Sequence, residues 1–416
     1  MIPKETFKKR REKVFKMMEN NSILLLDSAS FKEKNNENNY IYRQSSNFFY
    51  LTGYKEPSST LVLFKSLKEE REMLFVEENN PYYEVWTGKK KSDKEVKEET
   101  GIENVFYNKD FYFHFGNFVN KGAICYYDFS NERVTEFLGY NHYKILKLRE
   151  HFPQIKSFLP VNNIIYPLRA VKDKYEIECI KEAIRITKEG IFNCMKNAKE
   201  GMFEYQVQAD LEYIFLKNGV LVPAFPSIVA SGKNGATLHY TSNNQKVKKG
   251  DLILVDVGAE YELYSADITR VFPPKRKFTE REKKLYNPLL EVQEKIIDSI
   301  KPGISLKELN EKTNQLIGKL LISLKYIKDV KDVKKYYPHS VGHMLGLDTH
   351  DISQTPRYMP ELKENMVLTI EPGIYIPEEG IGLRIEDDIL VTKKGCENLS
   401  REIPKSVKGI EKVVGV

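Results

Sequence analysis

Two carboxylates interrupt a stretch that otherwise reads as a β-hairpin. In LILVDVGAEYELYSADITRVF, residues 252–272, residues two apart share a face. Leu252, Leu254, Asp256 and Gly258 therefore point one way, and Ile253, Val255 and Val257 the other. A turn near Tyr261 and Glu262 places Asp256 opposite Asp267, with Cβ atoms about 5 Å apart. Like charges so placed repel, so the pair must share a proton or hold a cation, unless one of them is exposed at the hairpin end. The anomaly returns downstream. Thr369 and Glu371 share a face in NMVLTIEPGIYIP, as do Arg384, Glu386 and Asp388 in GIGLRIEDDILVT, and the turn-rich PEEG at 377–380 joins the two as a second antiparallel pair. Taken singly, Glu386 reads as part of a surface charge ladder; the repetition is what points to a site.

Histidines cluster between the two pairs. YYPHSVGHMLGLDTHD carries His339, His343 and His350, three of the seven in the chain. His339 and His343 are four apart and face one side if the segment is helical, and as isolated residues they are equally structural histidines or ligands. His239 lies in NGATLHYTSNN, a loop by its asparagines and glycine that could reach the same cavity. His114, His142 and His151 read as structural or exposed. Four carboxylates and an imidazole suit a pair of hard or borderline divalent cations about 3.5–4 Å apart, bridged by carboxylates and a hydroxide. Such cations cancel the repulsion that opened the problem.

The elements that must position these groups follow from length and texture. At 416 residues the chain exceeds the size at which one core stops growing, so two domains are expected. The first, residues 1–165, alternates helix signals with the apolar strands SILLLD, TLVLF, EMLFVEE and AICYYD, an α/β pattern with a mostly buried sheet. KKKSDKEVKEET is a solvated helix or loop. The boundary falls within 160–172. In the second domain, 166–416, Ile177, Ile180, Ile184 and Ile191 mark one face of a long helix whose start is signalled by Asp173 and Glu176. A second helix ends near Gly219, and strands dominate after residue 226, apart from a helical insert at about 279–325 that Pro288 should end or kink. This half reads as α+β.

Composition narrows the partners. Lys and Arg number 65 against 59 Asp and Glu, a mild excess of +6 spread along the chain, which argues against nucleic acid. Cys125, Cys179, Cys194 and Cys396 form no CxxC pair and read as free thiols of a reducing cytosol. No run reaches the 18 or so apolar residues of a membrane span, so a soluble, cytoplasmic protein is expected. Phosphate-loop and serine-hydrolase motifs, GxxxxGK[ST] and GxSxG, do not occur.

The ordered series Asp256, Asp267, His343, Glu371, Glu386 resembles the ligand set of the pita-bread metallopeptidases, and its surrounding words HYT, VDVGAEY, ADITRVF, HSVGHMLGLDTHD, IEPGIYI and GLRIEDDILVT match over residues 165–403. RQSSNFFYLTGYKEPSSTLVLF and VWTGKKKS are similar to the leading domain of the aminopeptidase P family, which separates the chain from methionine aminopeptidases. The resemblance implies an α/β domain followed by an α+β pita-bread domain of the creatinase/aminopeptidase type. It implies two divalent metals, with Asp256 on one, Asp267 and Glu386 bridging, and His343 and Glu371 completing the other; hard ligands favour manganese, and cobalt, zinc or iron fit the same positions. It further implies attack of hydroxide on the carbonyl preceding a proline, with Glu371 handling the proton, His350 stabilising the oxyanion and His239 orienting substrate. His339, Tyr375 and Arg384 would shape the proline pocket. Implied partners are peptides with proline second and further copies of the chain, as a homodimer or homotetramer. Trp86, the sole tryptophan, could approach a neighbouring subunit's site, although a core or interface position is the first expectation. The rivals are a prolidase, restricted to Xaa-Pro dipeptides, and a metal-free peptide-binding module, which should lack at least one ligand. Pro288 and the lysine-rich segment 322–335 depart from the pattern without touching the ligands.

Overall fold

The computed structural model describes residues 2–36, 38–129, 140–352 and 361–416. The side chain of His142 lies outside the described residues. The chain forms two compact units, Met1–Arg169 and Ala170–Val416.

The first unit is built on a six-stranded mixed sheet. Its strands lie in the order Val105–Tyr107, Glu70–Val76, Thr60–Lys65, Ser22–Asp27, Ala123–Tyr127 and Ile155–Pro160. Central strands such as Ser22–Asp27 and Thr60–Lys65 are nearly continuous apolar runs because both their faces are covered. Ile23, Leu25, Val62, Phe75, Phe115 and Tyr127 form the heart of one core cluster. The charged run becomes a helix, Asp93–Thr100, opened by a reciprocal Ser92–Glu95 capping box and anchored by Val96 and Thr100. Trp86 is not in a core: it is 79% exposed, in a patch with Tyr82, Tyr83 and Val85.

The second unit surrounds two β-hairpins with helices. Helix Lys174–Asn197 begins with a capping box between Asp173 and Glu176 and buries Ile180, Ile184 and Ile191. Helix Glu204–Lys217 follows, with Gly219 left-handed just beyond it. Helix Glu280–Ile297 runs through Pro288 rather than ending there. The carbonyl deprived of its donor belongs to Lys284, which is exposed, so solvent can satisfy it and packing of Leu285, Leu289 and Val292 holds the helix together.

In the first hairpin, Ile253–Val257 pairs with Ile268–Phe272, and Glu260–Tyr261 pairs with Tyr264–Ser265 beyond a break. The tip residues Glu262 and Leu263 both have positive φ, 50° and 67°, the geometry of a two-residue turn matched to strand twist. This turn lies one residue later than the sequence suggests. Asp256 therefore sits opposite Thr269, not Asp267. The difference moves the partner by two residues, which keeps both acids on one face and makes them diagonal neighbours.

The second hairpin repeats the design. Val367–Ile370 pairs with Asp387–Val391, the ladder breaks, and Gly373–Ile376 pairs with Ile381–Arg384 in the same register. Pro372 lies at the break; having no N–H, it cannot continue the ladder, and only its carbonyl is used, accepting from Ile385 N at 3.2 Å.

Candidate metal centre

The acids sit in or beside the gaps in the two ladders. Asp267 precedes its strand, Glu371 follows one, Glu386 precedes another, and Asp256 lies within the first hairpin. Each gap replaces ladder bonds with bonds between the hairpins. Glu386 N donates to Thr269 O at 3.2 Å, and Asp267 N donates to Asp388 Oδ2 at 3.2 Å. Among the described residues, Asp267, His343 and Glu386 each offer a ligand atom, all within 4.8 Å of one another. His343 Nε2 is 3.3 Å from Asp267 Oδ2 and 3.7 Å from Glu371 Oε1.

The histidine segment is not helical. Residues 341–345 run alongside Val367–Ile370: Thr369 N donates to His343 O and Glu371 N to Val341 O, both at 2.8 Å. Pro338 and Gly342 disfavour a helix, and the backbone finds its partners on the strand instead. Gly342 permits the approach, since a Cβ there would lie 1.9 Å from Thr369 O. His339 stands at the site's rim, with Nδ1 3.5 Å from Glu371 Oε2 and Nε2 2.8 Å from Tyr375 Oη. Arg384 donates to Tyr375 Oη at 3.1 Å, Thr269 Oγ1 at 3.0 Å and Asp256 Oδ2 at 2.6 Å. His350 packs edge-on to His343, ring centroids 4.2 Å apart. His239 lies on an exposed loop close enough for its charge to bear on His339 and His350. The structure thus gathers Asp256, Asp267, His339, His343, His350, Glu371, Tyr375, Arg384 and Glu386 into one cluster, with His239 on a loop near it.

The electrostatics of the cluster favour a positive occupant. Burial pushes the Asp267 carboxyl well up, and the neighbouring Asp256 pushes it further. Burial, then Asp267 and Asp256, raise Glu386 well above its ordinary value. Burial lifts Glu371 to about 7 against the pull of His343 and Arg384. Arg384 is the one buried cation among these acids within the described residues, too little to balance them. Asp256 Oδ1 is buried and has no hydrogen-bond partner. An orphaned carboxylate oxygen beside a three-donor cluster fits a divalent cation site of oxygen and imidazole ligands. Asp256 and Asp267 therefore lie in a buried acidic cluster suited to a divalent cation rather than at an exposed hairpin end.

Several supporting residues escape a reading for ligands alone. Thr269 Oγ1 donates to Glu386 Oε2 at 2.6 Å, and its position two residues after Asp267 is the signal that places it on the same face. Arg270, fully buried, donates to Glu386 O, Ile403 O and Asp387, clamping the hairpins from behind. Asp388 is fully buried rather than part of a surface ladder. Glu204, 0% exposed, accepts from Ser231 N and Oγ, Asn234, Tyr240 and Gln245 N at 2.7–2.9 Å, fixing the loop that carries His239. Nothing local in the sequence announces that network, because its donors lie up to 41 residues away.

Residues 178–393 match metallopeptidase family M24, and residues 7–125 match the aminopeptidase P N-terminal domain. The Xaa-Pro aminopeptidase of Haemophilus influenzae is 32% identical over 99% of this chain and 98% of its own. Among solved structures, a putative aminopeptidase P from Bacillus anthracis superposes with a TM-score of 0.94 at 36% identity, covering 99% of this chain and 98% of that one. Zinc-substituted aminopeptidase P from Escherichia coli in complex with product gives 0.91 at 30% identity, again over 99% and 98%. With its amino-terminal α/β domain and pita-bread catalytic domain, this chain belongs to metallopeptidase family M24, as a metal-dependent hydrolase of the aminopeptidase P type.

Proposed function

We propose that the protein releases the amino-terminal residue from peptides whose second residue is proline. The observation that carries this is the convergence of Asp267, His343 and Glu386 within 4.8 Å, beside the orphaned Asp256 Oδ1. Asp256 would hold one divalent cation, Asp267 and Glu386 would be shared between two, and His343 with Glu371 would complete the second. Two such cations, when bound, supply Lewis acidity toward a peptide carbonyl and make water a nucleophile at neutral pH. Oxygen-rich ligands favour manganese.

The protein's own groups do the rest. Glu371, 3.7 Å from His343 Nε2 and 3.5 Å from His339 Nδ1, would take a proton and return it. His350 is pushed down to about 4 by burial and then by His343 and His239, so it stays neutral and can donate an N–H to a developing oxyanion. His239 would orient the substrate from its loop. The imide bond to proline has no N–H to grip, and the ring is fixed. A wall of His339, Tyr375 and Arg384, joined by hydrogen bonds of 2.8 and 3.1 Å, suits that ring.

The exposed Tyr82, Tyr83, Val85 and Trp86 supply an apolar patch for self-association as a homodimer or homotetramer. A cytoplasmic location fits four unpaired thiols, and no helix among the described residues is long and apolar enough to cross a membrane.

Hydrolysis of a tripeptide Xaa-Pro-Xaa and a dipeptide Xaa-Pro with manganese, using Glu371→Gln as control, tests the reading. Turnover of the tripeptide, lost in the variant, is expected. Activity on dipeptides alone would make the protein a prolidase. A purified, metal-supplemented sample without divalent metal would make it a binding module.

A further inference from the structure

The lysine-rich segment forms a second feature beside the metal centre. Val330–Lys335 is a 3₁₀ helix, in which side chains three apart eclipse. Within it Lys331 and Lys334 stand at that interval, Lys328 lies two residues before its start, and Val333 turns inward and is 5% exposed. The result is a cleft of about 410 Å³ lined by Lys328, Lys331, Lys334 and Lys335, with Tyr326, Ile327 and Asp332. Nearby acids are already engaged: Glu378 with Lys335 and Tyr336, and Glu379 with Arg281 and Tyr326. Lys328, Lys331 and Lys334 make no ion pair among the described residues, and Asp332 is the one acid in the lining against four lysines, so the cleft keeps an excess of positive charge.

This cleft abuts the proposed proline pocket. Lys334 Nζ donates to His339 O at 3.2 Å, and the ring of the same histidine reaches Glu371 Oε2 at 3.5 Å. Ordinary covalent dimensions separate carbonyl oxygen and ring nitrogen within one histidine by about 5 Å, so Lys334 Nζ lies within about 12 Å of the Glu371 carboxylate. An extended peptide advances about 3.3 Å per residue. A chain held with its scissile bond at Glu371 therefore brings roughly its fourth to sixth residue to Lys334, at one end of the lysine cleft.

We propose that the Lys328–Lys331–Lys334 cleft is a subsite for carboxylates in the substrate beyond proline, so that the enzyme favours Xaa-Pro peptides with an acidic or short free carboxyl-terminal tail. The subsite rests on the Xaa-Pro reading above and gives it a substrate class. Ile327 and the Tyr326 ring offer apolar floor for the methylene groups of a glutamate, while the ammonium groups meet its carboxylate.

The test compares kcat/KM for Ala-Pro-Ala-Ala-Glu-Glu-amide with the Gln-Gln-amide peptide, and for Ala-Pro-Ala-Ala-Ala as free acid with its amide. The two comparisons separate side-chain from terminal carboxylates. The wild type should favour the acidic member of at least one pair by about three- to tenfold through KM, and about 0.5 M salt should flatten the ratio. Lys328→Ser with Lys331→Ser should bring that ratio toward one, and Lys331→Glu should invert it. Ratios of one for both pairs in the wild type, or a preference untouched by both variants, would overturn the proposal. Should no Xaa-Pro peptide be cleaved, the activity reading falls by itself. The cleft is then judged by fluorescence anisotropy with a labelled oligoglutamate lacking proline: saturable binding weakened by the double substitution upholds an acidic-peptide site, and no binding refutes it.

Discussion

Stripping metal from the centre should expose a pH-dependent weakness whose sign follows from the acids. Asp267, Glu371 and Glu386 all have folded-state affinities for protons above their unfolded ones, Glu371 at about 7. A group raised in this way contributes stability that is complete below its unfolded value and is lost as pH rises through the folded one. His339 and His350 act oppositely. Both are lowered to about 4, chiefly by burial, so their effect is destabilisation as pH falls below about 6.5. The two trends oppose each other in mild acid. Above pH 6.5 the unfolded histidines shed their remaining protons, which returns about 0.4 kcal/mol each and offsets the roughly 1 kcal/mol that Glu371 loses between pH 6.5 and 8.5. The slope is then set by the Asp267–Glu386 pair, at about 3 kcal/mol for each proton that it retains across the window. The groups share protons, so the sum is of the order of 1–3 kcal/mol. At roughly 2–4 °C per kcal/mol for a unit of this size, the melting temperature of EDTA-treated protein should drop by roughly 3–10 °C from pH 6.5 to 8.5. Metal-loaded protein, whose cations favour the ionised acids, should hold nearly level. Scanning fluorimetry of both forms in matched ionic strength measures this. Asp267→Asn with Glu386→Gln should flatten the metal-free slope. A metal-free melting temperature that stays constant or rises across the window would refute the electrostatic account of the centre.

Other substitutions probe the supports. Glu371→Gln should lower kcat by about 10²–10⁴-fold on an Xaa-Pro tripeptide while circular dichroism stays unchanged. Gly342→Ala forces a Cβ to 1.9 Å from Thr369 O, so it should displace His343, lowering bound metal on elemental analysis and costing at least about 2 kcal/mol in a denaturant melt. Glu204→Ala leaves five buried or half-buried donors without their acceptor; a loss of roughly 3–5 kcal/mol is expected in urea, with a raised KM wherever the protein still folds, since the His239 loop loses its anchor. Asp387→Asn leaves Arg270 and Lys405 short of their shared charge and should destabilise by about 3 kcal/mol without changing the metal ligands themselves.

The two-residue period of strands made the acidic face legible even where the register was misjudged. Moving the hairpin turn by one residue exchanged Asp267 for Thr269 as the partner of Asp256, yet both lie on the same face, so the inference survived. Local signals likewise located the Asp173 cap and the apolar stripe of the following helix. Other features depend on groups far apart in the chain. The histidine segment pairs with a strand 26 residues on through His343 N and Thr369 Oγ1, so its four-residue spacing carried no helical meaning. Pro288 survives inside a helix because packing outweighs one lost bond, and Trp86 stays exposed in a patch with its sequence neighbours Tyr82, Tyr83 and Val85.

The breaks in the ladders connect these observations to chemistry. In a continuous ladder, the backbone groups beside Asp267 and Glu386 would be spent within their own hairpins. At the breaks they are released: Asp267 N reaches Asp388 of the second hairpin, and Glu386 N reaches Thr269 of the first. The same two bonds that join the hairpins therefore aim the carboxylates of both residues at common ground, where His343 meets them. Pro372 enforces one break chemically, and the bond from Ala224 N to Gly258 O draws the other aside. The irregularities that lower strand regularity are thus the feature that converts two ordinary hairpins into a site able to grip cations.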